Sequence, residues 1–204
     1  MPKPPSPQPV VLRIELRDVA PLVWRRVVVA NQWTLASLHH YLQWVMGWTD
    51  SHAHEFQVGE LIVAPDWWIQ ETGLGPETRP CKDERRFSVA AAVAAVAAVG
   101  VSGAFEYVYD MGDHWRHRIV IEPPPEAIPL EQLSLPTCLA GENACPPEDV
   151  GGTGGYEEFL EALADRTHEQ HEDMLGWIGG VFDPKGFDLN RINREWRGRR
   201  TRRQ

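Results

Sequence analysis

The chain has 204 residues, of which 43% are hydrophobic and nine are tryptophans, enough apolar material to bury one core. Its formal net charge is −9, and the last fourteen residues carry +6, which leaves −15 on residues 1–190. A body this acidic repels phosphate, so the composition argues against a nucleic-acid platform outside the C-terminal tail.

Composition also predicts the compartment. The first residues, MPKPPSPQPVV, lack the apolar stretch of a signal peptide, and three cysteines are an odd number. Both features predict a reducing, cytoplasmic location rather than a disulfide framework. The alanine-rich run 89–99 would cover about 17 Å as a helix, whereas a bilayer core is about 30 Å thick. No association with a membrane is therefore expected.

Taken in chain order, the elements predict an α+β fold with a mainly antiparallel, twisted sheet. Residues 1–9 are proline-rich and are expected to be disordered. Period-two alternation of apolar and polar residues predicts strands at 10–19, 22–30, 54–63, 105–111 and 115–122. Helices that pack on this sheet are predicted at 34–46, 89–99, 156–163 and 168–178, the last two forming a C-terminal pair.

The remaining segments are predicted from their turn residues and charges. Prolines and glycines make 60–87 an irregular surface excursion, the kind of segment in which function is often found. The sequence therefore predicts a single domain over 10–190, followed by a loose arginine-rich tail over 191–204.

A central hairpin is predicted by the stretch FEYVYDMGDHWRHRIVIE, residues 105–122. A three-residue loop over 112–114 would pair Met111 with Trp115 and Tyr109 with His117, which keeps the bulky rings on one face. His117 then lies in an apolar face, where an imidazole needs a partner. Two interpretations stay open, a hydrogen-bonded core histidine and a ligand or proton-transfer group.

Polar residues near this hairpin are the candidate site. Acid–base or metal chemistry would use the groups that crowd the turn, Asp110, Asp113 and His117. A recognition surface would combine aromatic side chains with two acids from the loop at 138–155, namely Tyr107, Tyr109, Trp115, Glu148 and Asp149.

Two sets of residues are candidate metal ligands, with zinc as the candidate cofactor. His52 and His54 form an H-x-H pair on a strand, which places both imidazoles on one side about 7 Å apart. The second set has two thiols and two imidazoles: Cys138, Cys145, His168 and His171. Its cysteines are separated by six residues, wider than the two to four of common zinc sites, which counts against it.

Two stretches carry a family resemblance, YVYDMGDHWRHRIVIE and CLAGENACPPEDVGG. Together with HAHEFQVG and FDPKGFDLNRIN they resemble the plasmid pRiA4b ORF-3-like family, also called the insertion-element passenger TnpR family. One departure is Met111, where phenylalanine is more usual. The resemblance implies a compact α+β domain associated with plasmids and mobile elements, without an established activity.

Three functions follow from these patterns. The first is a non-enzymatic binding or accessory module that recognises a protein or a small molecule. The second is a metal-dependent hydrolase or nuclease that uses the histidine and aspartate cluster. The third is nucleic-acid contact through the arginine-rich tail alone. No nucleophile in an arginine-rich active site and no helix-turn-helix is recognisable, so we favour the binding module over the enzyme.

Overall fold

A computed structural model describes residues 7–75, 78–99, 103–126 and 129–201 of the chain. Eight strands form one sheet in the order β5-β4-β3-β6-β7-β1-β2-β8, and each neighbouring pair is antiparallel except β4 and β5. The strands are β1 (Pro9–Leu16), β2 (Trp24–Ala30), β3 (His54–Val58), β4 (Leu61–Ala64), β5 (Cys81–Asp83), β6 (Ala104–Tyr109), β7 (Trp115–Glu122) and β8 (Thr137–Glu142). The α+β prediction is confirmed.

Within the described ranges, six α-helices accompany the sheet: α1 (Leu35–Met46), α2 (Asp66–Thr72), α3 (Val89–Val99), α4 (Gly152–Ala164), α5 (His171–Ile178) and α6 (Leu189–Thr201). Helix α1 begins where the Thr34 hydroxyl accepts the Ser37 amide, and it ends at Gly47, whose φ of 100° suits glycine. Its apolar stripe packs with the rings of β6 and β7 into the main core. This packing positions the central strands β6 and β7, whose connecting turn adjoins the candidate site.

Several predicted segments differ from the structure. The predicted strand 54–63 is divided into β3 and β4. The excursion 60–87 contains β4, α2 and the parallel edge strand β5, so it is largely regular. Strand β8 was not predicted, because its sequence TCLAGE has no period-two alternation. The arginine-rich segment begins as a packed helix rather than a loose tail, since Trp196 contacts Tyr41 and Asn193 bonds to both backbone groups of Cys138. Of the disordered start predicted over 1–9, residues 1–6 lie outside the described residues, and Pro9 is already in β1.

The central hairpin forms, but its predicted register is wrong. Tyr109 pairs with Trp115 and Tyr107 with His117, so the loop spans the five residues 110–114. The reason is local: Asp110 and His114 both adopt φ of 57°, and the His114 amide donates to the Asp110 carbonyl. The shift is by an even number of residues, so the rings still share one buried face.

His117 is a core histidine, completely buried, whose Nδ1 lies 3.2 Å from the Tyr107 carbonyl oxygen. Burial lowers its pKa from 6.5 to about 4. As the pH falls, the unfolded chain therefore binds a proton at His117 before the folded chain does. The stability present above pH 6.5 is lost as the pH falls towards 4. We expect His117 to reduce the free energy of unfolding by about 3 kcal/mol across this window.

Urea unfolding of the wild type and of His117→Phe at several pH values checks this expectation. The variant should lose less stability than the wild type between pH 6.5 and 4. Parallel pH profiles for the two proteins would show that the imidazole does not titrate as burial requires.

Candidate functional site

Four polar side chains from three segments meet beside the turn of the central hairpin. Around Nε2 of His52 lie Asp149 Oδ1 at 3.1 Å, Asp110 Oδ2 at 3.6 Å and Glu148 Oε2 at 4.0 Å. This Nε2 is shielded from solvent and has no hydrogen-bond partner among the described residues. We call His52, Asp110, Glu148 and Asp149 the His52 cluster.

Asp110 is oriented by its own backbone. Its positive φ allows Oδ1 to accept the amides of Gly112 at 2.9 Å and Asp113 at 3.3 Å. The residue is only 6% exposed, and the other oxygen, Oδ2, faces His52 at a distance too long for a hydrogen bond. One oxygen of this carboxylate is thus held by two backbone amides, while no hydrogen bond to the other is seen among the described residues.

Glu148 is held through both of its oxygens. Oε1 accepts the Thr49 amide at 2.8 Å, the Thr49 hydroxyl at 3.1 Å and the Tyr109 hydroxyl at 3.0 Å. Burial raises the pKa of Tyr109 far above its usual value, so the phenol stays protonated and donates. Oε2 is the oxygen nearest to His52, and the Tyr109 hydroxyl also lies within donating distance of it, at 3.3 Å.

The loop that carries Glu148 and Asp149 is hydrogen-bonded to the hairpin turn. Asp113 Oδ2 accepts the Gly151 amide at 3.2 Å at the start of α4. A Cβ at Gly152 would lie 2.7 Å from the Asp113 carbonyl oxygen, so only glycine permits this approach. Asp113, predicted as an acid–base group, therefore holds the loop in place instead of facing His52.

Three members of the His52 cluster are spaced like atoms that surround a cation, because one ligand atom each of His52, Asp110 and Asp149 lies within 4.8 Å of the other two. Ligand atoms about 2.1 Å from a tetrahedral metal are about 3.4 Å apart, and His52 Nε2 is 3.1 Å from Asp149 and 3.6 Å from Asp110. Glu148 is outside this group, with Oε2 4.0 Å from Nε2. One imidazole with two carboxylates suits divalent zinc, manganese or iron. The chemistry available to such a site is cation binding and, with an open position, activation of water or an oxyanion.

A second histidine group lies nearby: ligand atoms of His39, Asp50 and His54 are also within 4.8 Å of one another, but their orientation does not suit one ion. Asp50 lies 2.7 Å from Nε2 of His39, and Glu84 lies 2.8 Å from Nε2 of His54. The two imidazoles are stacked, with centroids 3.4 Å apart and planes only 3° from parallel. Nitrogen lone pairs lie in the ring plane, so those of parallel stacked rings do not meet at one ion. This group is a buried hydrogen-bond network, in which burial lowers the pKa of His39.

Several predicted site residues are separated by the structure. His52 and His54 do not share a metal position, because His54 turns to Glu84 while His52 faces the acids. Tyr107, Tyr109 and Trp115 are fully buried, so the aromatic part of the predicted recognition surface is core. Only the Tyr109 hydroxyl reaches the cluster, and His117 is not part of it.

The predicted set of two cysteines and two histidines does not converge as a metal-ligand group among the described residues. Cys138 is buried in β8, and its thiol donates to the Ala140 carbonyl. His171 Nδ1 bonds to the Ala162 carbonyl, whereas His168 lies in the turn before α5. The predicted pattern therefore reflects separate structural roles.

No described helix has the length and apolar character needed to cross a bilayer. Helix α6 brings the described part of the arginine-rich segment against α1 and β8. Arg199 lies over the ring of Trp44 at 4.2 Å, and Arg191 pairs with Glu195.

Comparisons with known proteins give one consistent result. The family described as "Plasmid pRiA4b ORF-3-like protein" matches residues 8–191. The "Uncharacterized protein y4hQ" of Sinorhizobium fredii is 41% identical over 185 residues, which cover 90% of this chain and 88% of that protein. A crystal structure of the "Protein of Unknown Function MM3350" from Methanosarcina mazei Go1 is similar with a TM-score of 0.71. It is 29% identical, and the match covers 91% of this chain and 97% of that one.

Proposed function

Because the chain belongs to the plasmid pRiA4b ORF-3-like family, whose relatives' names give no activity, we propose a function from its own geometry. The protein is a binding module whose His52 cluster holds one divalent transition-metal ion beside the hairpin turn. His52 supplies an imidazole nitrogen, Asp110 supplies Oδ2, and Asp149 supplies Oδ1 from the loop before α4. Glu148 adds negative charge beside the ion while its oxygens accept bonds from Thr49 and Tyr109.

The observation that carries this proposal is the unpartnered Nε2 of His52 among three carboxylates. In a hydrogen-bonded histidine, an acceptor oxygen lies in line with the N–H bond. His54 has such a partner, since its Nε2 is hydrogen-bonded to Glu84 Oε2 at 2.8 Å. His52 has no such partner, although Asp149 lies 3.1 Å away. The hydrogen bonds to Asp110 Oδ1 correspond to the supporting contacts that orient ligands in metal sites.

Titration calorimetry of the chelator-treated full chain with Mn²⁺ and Zn²⁺ tests the proposal. We expect one ion per chain and a higher melting temperature with metal, because an ion that binds only the folded state stabilises it. At a free concentration 100 times the dissociation constant, that gain is about 2.7 kcal/mol. Asp173→Asn, which changes an exposed acid on α5, is the control and should bind equally. Absence of stoichiometric binding of either ion would refute the proposal.

A metal-dependent hydrolase is a second candidate, favoured by the exposure of Asp149. The side chain of Asp149 is 71% exposed, whereas that of Asp110 is 8% exposed, so water can reach one side of the cluster. Nucleic-acid contact through the C-terminal arginines and the link to mobile elements stay predictions. Hydrolysis of a generic phosphodiester substrate by metal-loaded protein, lost in His52→Gln, would distinguish the enzyme from the binding module.

A further inference from the structure

A closed cycle of hydrogen bonds lies behind the loop that carries His52, and we propose that this cycle positions His52 for the metal. It links Asp50 to three side chains of α1 and β6, which are His39, Gln43 and Tyr107. We call these four residues the hydrogen-bond cycle. The inference rests on the proposed metal site and adds positioning residues to it. It also requires that His39 is a neutral imidazole with its hydrogen on Nε2.

The direction of the bonds in the cycle follows from one backbone amide. The Asp50 amide can only donate, so the side-chain oxygen of Gln43, Oε1, faces it at 2.9 Å. Nε2 of Gln43 therefore faces the Tyr107 hydroxyl at 3.0 Å and donates to it. The hydroxyl keeps its own hydrogen to donate, and His39 Nδ1 lies 2.8 Å away. Because Tyr107 is fully buried, water does not take this hydrogen bond, and Nδ1 accepts it.

His39 closes the cycle as a neutral imidazole. Its Nδ1 accepts from Tyr107, so its hydrogen is on Nε2, which lies 2.7 Å from Asp50 Oδ1 and donates to it. The opposite tautomer would place a nitrogen lone pair against this carboxylate oxygen and leave the tyrosine hydrogen without an acceptor. A doubly protonated imidazole would also leave that hydrogen unpaired. Burial acts in the same direction, because it lowers the pKa of His39.

The cycle acts on His52 through the backbone of the loop before it. Three consecutive amides, at residues 49–51, donate in turn to Glu148 at 2.8 Å, to Gln43 at 2.9 Å and to the Tyr109 hydroxyl at 3.0 Å. The middle amide belongs to Asp50, whose φ of 62° is costly for a residue other than glycine. The cycle holds this residue through both its amide and its carboxylate. Loss of the cycle therefore releases the backbone that aims His52 Nε2 at the acids.

NMR of the metal-free full chain, labelled with ¹⁵N at histidine, tests the cycle without any metal. At neutral pH we expect the long-range ¹H–¹⁵N correlations of His39 to show a protonated Nε2 and an unprotonated Nδ1. The spectrum of His39→Gln, in which these signals are absent, provides the assignment. A hydrogen on Nδ1, in the other tautomer or in a doubly protonated imidazole, would overturn the inference.

Two substitutions at Gln43 test its effect on the metal, with Mn²⁺ binding measured by calorimetry. Gln43→Met removes the acceptor of the Asp50 amide and should weaken binding about tenfold, as loss of an outer contact does in metal sites. Gln43→Glu keeps an oxygen in that place and should retain wild-type affinity. Tyr41→Phe is the matched control, because it removes from the same helix a buried hydroxyl that has no partner among the described residues.

The outcomes separate the cycle from the metal site. Equal affinity of Gln43→Met and the wild type would contradict the positioning role, and so would an equal loss in Gln43→Met and Gln43→Glu. A wild type that binds no Mn²⁺ would instead refute the proposed metal site. The NMR spectrum, recorded without metal, would still decide whether the cycle exists.

Discussion

Replacing Asp110 by asparagine is expected to weaken divalent-metal binding by at least about 100-fold. Outer contacts of metal ligands already contribute 10- to 100-fold to affinity, and this change removes a ligand itself. The asparagine oxygen can still accept the Gly112 and Asp113 amides, and asparagine tolerates the φ of 57°. The variant therefore keeps the turn while an amide nitrogen, which is not a metal ligand, replaces Oδ2.

Folding and binding can be separated in this variant. Loss of one negative charge from the crowded cluster relieves repulsion, so metal-free Asp110→Asn should be at least as stable as the wild type. Metal should then raise the melting temperature of the wild type but not of the variant. Calorimetry and thermal unfolding measure both quantities. Wild-type metal affinity in Asp110→Asn would exclude Asp110 as a ligand.

Gly155→Ala is expected to lower the free energy of unfolding by about 3 kcal/mol. A Cβ at this position would overlap the carbonyl oxygen of Val150, which is backbone and cannot move without shifting the loop. That loop carries Glu148 and Asp149, so metal affinity should fall together with stability. Chemical denaturation and calorimetry of the same preparation measure both effects.

The adjacent glycine provides a matched control. A Cβ at Gly154 meets nothing within 4 Å, and this residue also lies within α4. Gly154→Ala should therefore raise stability by about 0.5–1 kcal/mol, as alanine does in a helix, without changing metal affinity. Equal effects of the two substitutions would contradict the close approach between α4 and the Val150 carbonyl.

The sequence predicts the faces of the hairpin better than its loop. Period-two alternation identifies the buried rings from Phe105 to Tyr109 because one face of the ribbon packs on α1. The loop length depends on Asp110, whose side chain closes the turn from a left-handed backbone conformation. Aspartate only permits this conformation and does not require it, so alternation alone leads to a three-residue loop.

The candidate site is only partly predictable for a different reason. His52, Asp110, Glu148 and Asp149 can each be singled out as polar groups near turns, but their convergence depends on tertiary structure. It requires β8 to pair with β2, so that the following loop reaches the hairpin at Asp113. The β8 sequence, TCLAGE, has no period-two alternation from which this pairing could be predicted. Thr49, which holds Glu148, has no sequence signal at all, because its role appears only when the two loops meet.

The most direct measurement is anomalous diffraction from crystals of the full chain grown with Mn²⁺. The proposed site predicts one strong peak about 2.1 Å from His52 Nε2, from Asp110 Oδ2 and from Asp149 Oδ1. A cluster without anomalous density at saturating Mn²⁺, or Mn²⁺ bound only elsewhere on the chain, would contradict it.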